Sequence, residues 1–167
     1  MTGAVEVRAR PAAAEDLDTI VELAVAARAA LADARGGPVL LATDRGAGDE
    51  RGHLQAAMAD DDAQVLVGTL DDIVVGYLLA VLIPTPGGPL LAEIVELYVQ
   101  PEARQVGVGA MLLDPTISWA ASRGCDGIDA LTRPGDRATK NFFESHGLVA
   151  RAIIAHRSLH GAPPASP

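Results

Sequence analysis

Three things are scarce in this chain. Its 167 residues hold one cysteine, which excludes an internal disulfide framework. Cys125 stands at the entrance to an expected strand, the setting of a small buried thiol rather than of a nucleophile. Positive charge is also short: 13 Lys and Arg face 22 Asp and Glu, a formal net charge of −9. Such a field repels phosphate backbones, so a nucleic-acid role has no electrostatic basis, and cationic substrates are weakly favoured. Long hydrophobic runs are the third absence. Arg, Asp, Pro or Gly breaks every apolar stretch well before the ~18 residues of a membrane span. The opening MTGAVEVRAR has no apolar centre of the kind a signal peptide carries. The expectation is a cytoplasmic protein with no membrane partner.

What the chain does have is apolar content. Hydrophobic residues make up 49% of it, enough for a sizeable core at this length. One domain is expected over residues 1–160, with Gly161 to Pro167 as a disordered tail. The run Asp60-Asp61-Asp62 reads as a helix end or turn, and no metal is expected.

Val5 to Arg8 alternates as a first strand, and Leu17, Ile20, Val21, Ala24 and Val25 recur at helical spacing to about Leu31, with Glu15 and Asp16 at the positive end. Ala34 to Glu50 is the least regular stretch, and Gly52 to Asp60 is compatible with a second helix. His53 there reads as a surface or packing residue. Gln64 to Thr69 and Ile73 to Leu82 flank Leu70-Asp71-Asp72 as a tight antiparallel hairpin. A Pro/Gly-rich connector, Pro84 to Pro89, leads on.

The richest stretch runs from Leu90 to Leu113, LLAEIVELYVQPEARQVGVGAMLL. A strand-like apolar run to Val99 ends at Pro101, and a glycine-spaced turn opens a run with helical spacing. In Arg104-Gln105-Val106-Gly107-Val108-Gly109-Ala110 the glycines let several backbone N–H groups converge on one anion, and the helix start adds its positive dipole end. Diphosphate suits such a turn; so does plain close packing of helix on strand. A Walker loop would carry Lys-Ser/Thr where Ala110-Met111 stands, and a dinucleotide fingerprint would follow the chain's first strand. Neither fits.

The whole string resembles motif A of the GNAT superfamily of acyl-CoA N-acyltransferases. Leu97-Tyr98-Val99-x-Pro101-Glu102-x-Arg104 before the turn resembles that family too. The resemblance implies an α/β (α+β) fold, a central mixed, mostly antiparallel sheet flanked by helices, with splayed central strands forming the coenzyme A cleft. It implies acetyl-CoA as cosubstrate, its pyrophosphate on residues 104–110 and its pantetheine arm along the backbone of Leu97, Tyr98 and Val99. The partner implied is a small-molecule or peptide amine. Family members are often homodimers, though no residue here marks an interface.

After motif A, a helix from Gly109 to about Arg123 meets Pro115, where the lost N–H and the clash with the Met111 carbonyl predict a kink or restart. Gly127 to Thr132 alternates as a strand, and Asp136 is placed to cap the helix Arg137 to His146, which Gly147 ends. RATKNFFESHG resembles GNAT motif B: aligned on Gly147 without gaps, Asp136 takes the family's Asn, Phe142 its Phe, Phe143 its Tyr and Leu148 its final Phe. Many members use that tyrosine as general acid at the cofactor; Phe143 has no proton to give. Tyr98 and His146 are donors by type alone. Val149 to Leu159 would supply the last strands.

For the base that frees the attacking amine, Glu93 and Glu96 interrupt an otherwise apolar strand. Glu93 precedes Arg104 by eleven positions, a spacing resembling that of the catalytic glutamate in histone-type members. By alternation the two face opposite sides, so without a bulge only one lines the cleft. Glu93 is preferred as base, with Glu96 as the alternative; the non-catalytic reading is a strand-edge carboxylate paired to an arginine. The function implied is direct acetyl transfer to an amine in a ternary complex, the competing one a non-catalytic acyl-CoA sensor with a degenerate site.

Overall fold

The computed structural model describes residues 5–43, 46–133, 135–157 and 159. The expected tail, 161–167, lies outside them, as does Pro134 of the turn before the last helix.

The central sheet has five strands in chain order, β1 (Val7–Pro11), β2 (Ala63–Leu70), β3 (Ile73–Ile83), β4 (Leu91–Val99) and β5 (Gly127–Ala130). The first four pair antiparallel, and β5 runs parallel to β4. A parallel neighbour needs a crossover, supplied here by helix α4 (Val108–Ser122). Helices α1 (Leu17–Ala32), α2 (Gly37–Thr43) and α3 (Glu50–Met58) precede the hairpin, and α5 (Arg137–Ser145) follows β5.

Both faces of the sheet are covered, which is why β2 and β3 read as nearly continuous apolar runs. Val65, Val67, Tyr77 and Leu79 pack with Ile20, Leu23 and Leu54 on the α1/α3 side. Leu66, Leu78 and Ala80 pack with Leu112, Leu113 and Phe143 on the α4/α5 side. Gly68 lets α4 settle on the sheet: a Cβ there would lie 2.6 Å from Val108 Cγ1. The hairpin turn is formed by Asp71 and Asp72, both at positive φ, the left-handed pair that a two-residue turn between twisted strands requires.

Three expectations need correction. The irregular stretch contains a helix, α2, which starts where Gly37 fits against Leu31: a Cβ would sit 1.7 Å from its carbonyl oxygen. Of the kink or restart expected at Pro115, the restart is absent: α4 runs through it to Ser122. Met111 and Pro115 are both exposed, so the carbonyl freed by the missing N–H faces water rather than the core. Finally, the described part of 149–159 forms no strand, and Ile153 is 91% exposed. Strand-like composition becomes a strand only against a partner edge. Here β5 is four residues long, and the contact made is an Arg151–Asp129 ion pair, with Nε 2.7 Å from Oδ1.

Candidate active site

A cleft of about 1430 Å³ runs along the sheet from the N-terminus of α4 to the ends of α1 and α2. Its centre is β4, and two irregularities of that strand create it. Pairing with β5 stops at Ile94–Ala130, whereas pairing with β3 continues to Val99–Gly76. The β5-facing backbone of Val95 to Val99 is thereby released by its neighbour, the splay that an extended ligand arm could pair with. The second irregularity is a bulge: Ala80 pairs Ile94 and Leu79 pairs Glu96, leaving Val95 opposite nothing. One extra residue reverses which side chains face which way. Ile94 and Leu97 both pack toward α4, while Glu96 and Tyr98 turn toward α1. Glu93 and Glu96 therefore share a face and both line the cleft.

Their surroundings differ. Glu96 is held: Arg28 Nη2 donates to Oε1 at 3.0 Å and the Tyr77 hydroxyl donates to Oε2. Arg28 Nε also lies 3.7 Å from Glu50. With side-chain exposures of 11% for Arg28 and 14% for Glu96, this is a half-sheltered ion pair whose members need each other. His53 lines the same wall, its Nε2 3.9 Å from Glu96 Oε1 and buried without a hydrogen-bond partner among the described residues. Glu93 is exposed to the cleft and, among the described residues, has no hydrogen bond or ion pair. Sequence reasoning missed Arg28 and Tyr77 and set His53 aside. The signal was thin: an arginine late in an amphipathic helix and a tyrosine in an apolar strand acquire meaning only when the fold brings them to Glu96.

At the other end of the cleft, Gln105 and Gly107 adopt φ values of +67° and +99°, and Gly107 caps α4. The first intrahelical bond runs from Met111 N to Gly107 O, 3.0 Å. The amides of Val108, Gly109 and Ala110 precede it and have no carbonyl within the helix. A Cβ on Gly107 would meet open space, with no described atom within 4 Å, so this cradle has room for a diphosphate. Arg104 stacks over the Tyr98 ring, 5.8 Å from Cζ to centroid, and donates from Nε to Val99 O at 2.9 Å.

Of the residues expected to hold the cofactor, Leu97, Tyr98, Val99, Arg104, Gln105, Gly107, Gly109, Ala110, Asp136 and Phe143 line the cleft. Val106 does not line it, and the Val108 side chain is turned into the core against Gly68, leaving only its amide for the turn. Asp136 caps α5, accepting from Thr139 N at 3.0 Å and from Arg133 Nη2 at 2.9 Å. Burial pushes its carboxyl up, but Thr139 and Arg133 outweigh this and hold it below the usual carboxylate range.

Phe143, expected on a helix face lining the cofactor cleft, contributes to the cleft wall, but at 5% exposure most of its ring belongs to the α4-side core. A nine-residue helix with two large apolar side chains has to bury one of them to dock. Phe142 is the aromatic at the glycine turn, with ring atoms 3.2 Å from where a Gly109 Cβ would be. His146 Nδ1 lies 2.8 Å from Phe142 O, the capping role suited to a helix end. Cys125 precedes β5 and burial pushes its thiol pKa up, as befits an inert thiol.

Comparison with known proteins gives these features a context. The sequence model of the family described as Acetyltransferase (GNAT) family matches residues 39–148. No curated protein matches the chain in sequence. Among solved structures, AAC(6')-Iy in complex with the bisubstrate analog CoA-S-monomethyl-acetylneamine is similar over 92% of this chain and 98% of its own, with TM-score 0.70 and 16% identity. An aminoglycoside acetyltransferase from an uncultured soil metagenomic sample, in complex with trehalose, covers 93% and 97%, with TM-score 0.68 and 19% identity. A transcriptional regulator from Bacillus halodurans C-125 covers 91% and 100%, with TM-score 0.67 and 24% identity. At such identities the likeness is one of fold.

Proposed function

The chain belongs to the GNAT family of acetyltransferases, and on that premise we propose that it transfers an acetyl group from acetyl-CoA to a primary amine of a small molecule or peptide, directly, in a ternary complex. The observation that carries this reading is the continuity of one cleft from the free amides of α4, past the unpaired half of β4, to Glu93 and Glu96. The diphosphate would rest on the amides after Gly107, and the pantetheine arm would extend β4 along Leu97 to Val99.

Glu93 serves as the base. A general base needs a lone pair that can be reached, and both oxygens of Glu96 are already occupied by Arg28 and Tyr77. In the reaction Glu93 takes a proton from the acceptor's ammonium group, the freed nitrogen attacks the thioester carbonyl, a C–N bond forms, the C–S bond breaks, and the nitrogen's second proton passes to water. The departing thiolate takes its proton from water, since Phe143 offers none. All residues in this scheme come from one chain, and the homodimer suggested by the resemblance is checked by sedimentation.

The test is release of free thiol from acetyl-CoA with a panel of primary amines, with CoA affinity measured in parallel. Thiol release with any amine supports the enzyme. CoA binding without release from any of them would leave the sensor reading standing.

A further inference from the structure

The half of the cleft beyond Glu93 is where an acceptor would lie, and its composition differs from what the whole-chain charge suggests. Its walls are apolar: Ala27 and Leu31 from α1, Leu40 and Leu41 from α2, and Val81 and Ile83 from β3. Carboxylates are few and mostly taken. Glu96 is bound by Arg28 and Tyr77, Asp136 by Arg133 and the Thr139 amide, and Asp129, the register neighbour of Glu93 on β5 but outside the lining, by Arg151. That leaves Glu93 as the one lining carboxylate without a partner among the described residues. Against it stands Arg35, also lining this half and exposed.

Resting on the acetyltransferase reading, we infer that the acceptor subsite takes an apolar primary monoamine and discriminates against polycationic amines such as aminoglycosides. One ammonium group can be met and deprotonated by Glu93, while an alkyl or aryl body covers the Leu31–Leu40–Leu41 wall and is driven there by loss of apolar surface to water. Each further ammonium group would shed hydration against that wall with no free carboxylate among the described lining residues to receive it, and would also approach the Arg35 guanidinium. The net charge of −9 draws cations toward the molecule as a whole, but among the described residues the subsite is close to neutral: one open carboxylate and one open guanidinium. Solved neighbours include aminoglycoside acetyltransferases, so the fold accommodates such substrates; the lining of this chain is what excludes them.

The experiment compares 2-phenylethylamine and hexylamine with the polycation sisomicin in thiol release from acetyl-CoA, using the full chain at one pH and ionic strength. The expected kcat/KM for the monoamines exceeds that for sisomicin by about 100-fold, on the scale by which pockets reject ill-matched groups. Leu40→Asp and, separately, Leu41→Asp should reduce that ratio by about 10-fold through KM for the monoamines, with CoA affinity unchanged by calorimetry. A ratio below about 10 for the native chain overturns this inference while leaving acetyl transfer intact. Release from none of the three amines overturns it too, and if no amine of the wider panel supports release, the enzymatic reading falls with it.

Discussion

Replacing Glu93 by Gln separates chemistry from folding with little ambiguity, because of where the side chain sits. It is exposed on the cleft face and has no described partner, so the isosteric amide should alter stability by no more than about 0.5 kcal/mol. Removal of a general base costs ~10²- to 10⁴-fold in rate, which is about 2.7–5.4 kcal/mol of barrier at 1.36 per decade. Glu96→Gln makes the contrast. There the carboxylate lies 3.0 Å from Arg28 Nη2 with both side chains mostly sheltered, and losing a charge-assisted bond costs about 1.5–3 kcal/mol of stability. The cost stays at that level because Glu50, 3.7 Å from Arg28, still faces the guanidinium. The assay is thiol release at saturating acetyl-CoA across pH, with urea unfolding and CoA calorimetry on both variants. Glu93→Gln should lose turnover at constant stability and CoA affinity. Its deficit should shrink as pH rises, because a larger share of the amine arrives already deprotonated. If Glu96→Gln instead loses turnover 100-fold or more at constant stability while Glu93→Gln stays near native, the assignment of the base is refuted.

Gly107→Val should weaken CoA binding more than Arg104→Ala: a φ of +99° costs an L-residue roughly 1–2 kcal/mol, and the branched side chain would fill the open space above the amides. Calorimetry showing unchanged affinity would remove the phosphate turn from that role. Phe143→Tyr should lower stability by about 1–3 kcal/mol, since a hydroxyl enters a largely buried ring site, while turnover per folded molecule stays level or rises. A fall in turnover at native stability would contradict this. Asp16 is held below the usual carboxylate range, first by its hydrogen bonds from Arg10 and also by the Ala13 amide. Its folded pKa being depressed, it contributes stability that is present above the unfolded value of ~3.9 and lost as pH falls through the folded one. Asp16→Asn should therefore be less stable at neutral pH and show a flatter acid limb in denaturation; an unchanged acid limb would count against the pairing.

Much of the fold was legible because its signals are local. The hairpin followed from two apolar runs around Leu70-Asp71-Asp72, and the cap of α5 from an aspartate set before a helical pattern. The glycine turn before α4 could be read because its glycine spacing and the strand before it are contiguous in the chain. The Glu96 end of the cleft was illegible for the opposite reason. Arg28, Tyr77 and Glu96 lie on three separate elements, and their meeting depends on how α1 crosses the sheet, a tertiary fact no periodicity encodes. The face of Glu93 relative to Glu96 hinged on one unpaired residue, Val95, whose side chain carries no mark of it. At the C-terminus, apolar composition suggested strands where the edge that would hold them is too short.

That unpaired residue acts on β4 as a frameshift acts on a message. Upstream of Val95 the even-numbered positions belong to the α4 side, and downstream the odd-numbered ones do. A substitution anywhere in the strand changes one letter, and deletion of Val95 itself would close the bulge with Glu96 still opposite Leu79, whereas loss of Leu97 with the bulge kept would turn Tyr98 into the space now filled by Leu97 and Val99. The strand thus tolerates spelling errors better than a residue gained or lost between Glu96 and Val99, and among homologous chains the length of that segment should be a stricter signature of an intact cleft than the identity of any side chain within it.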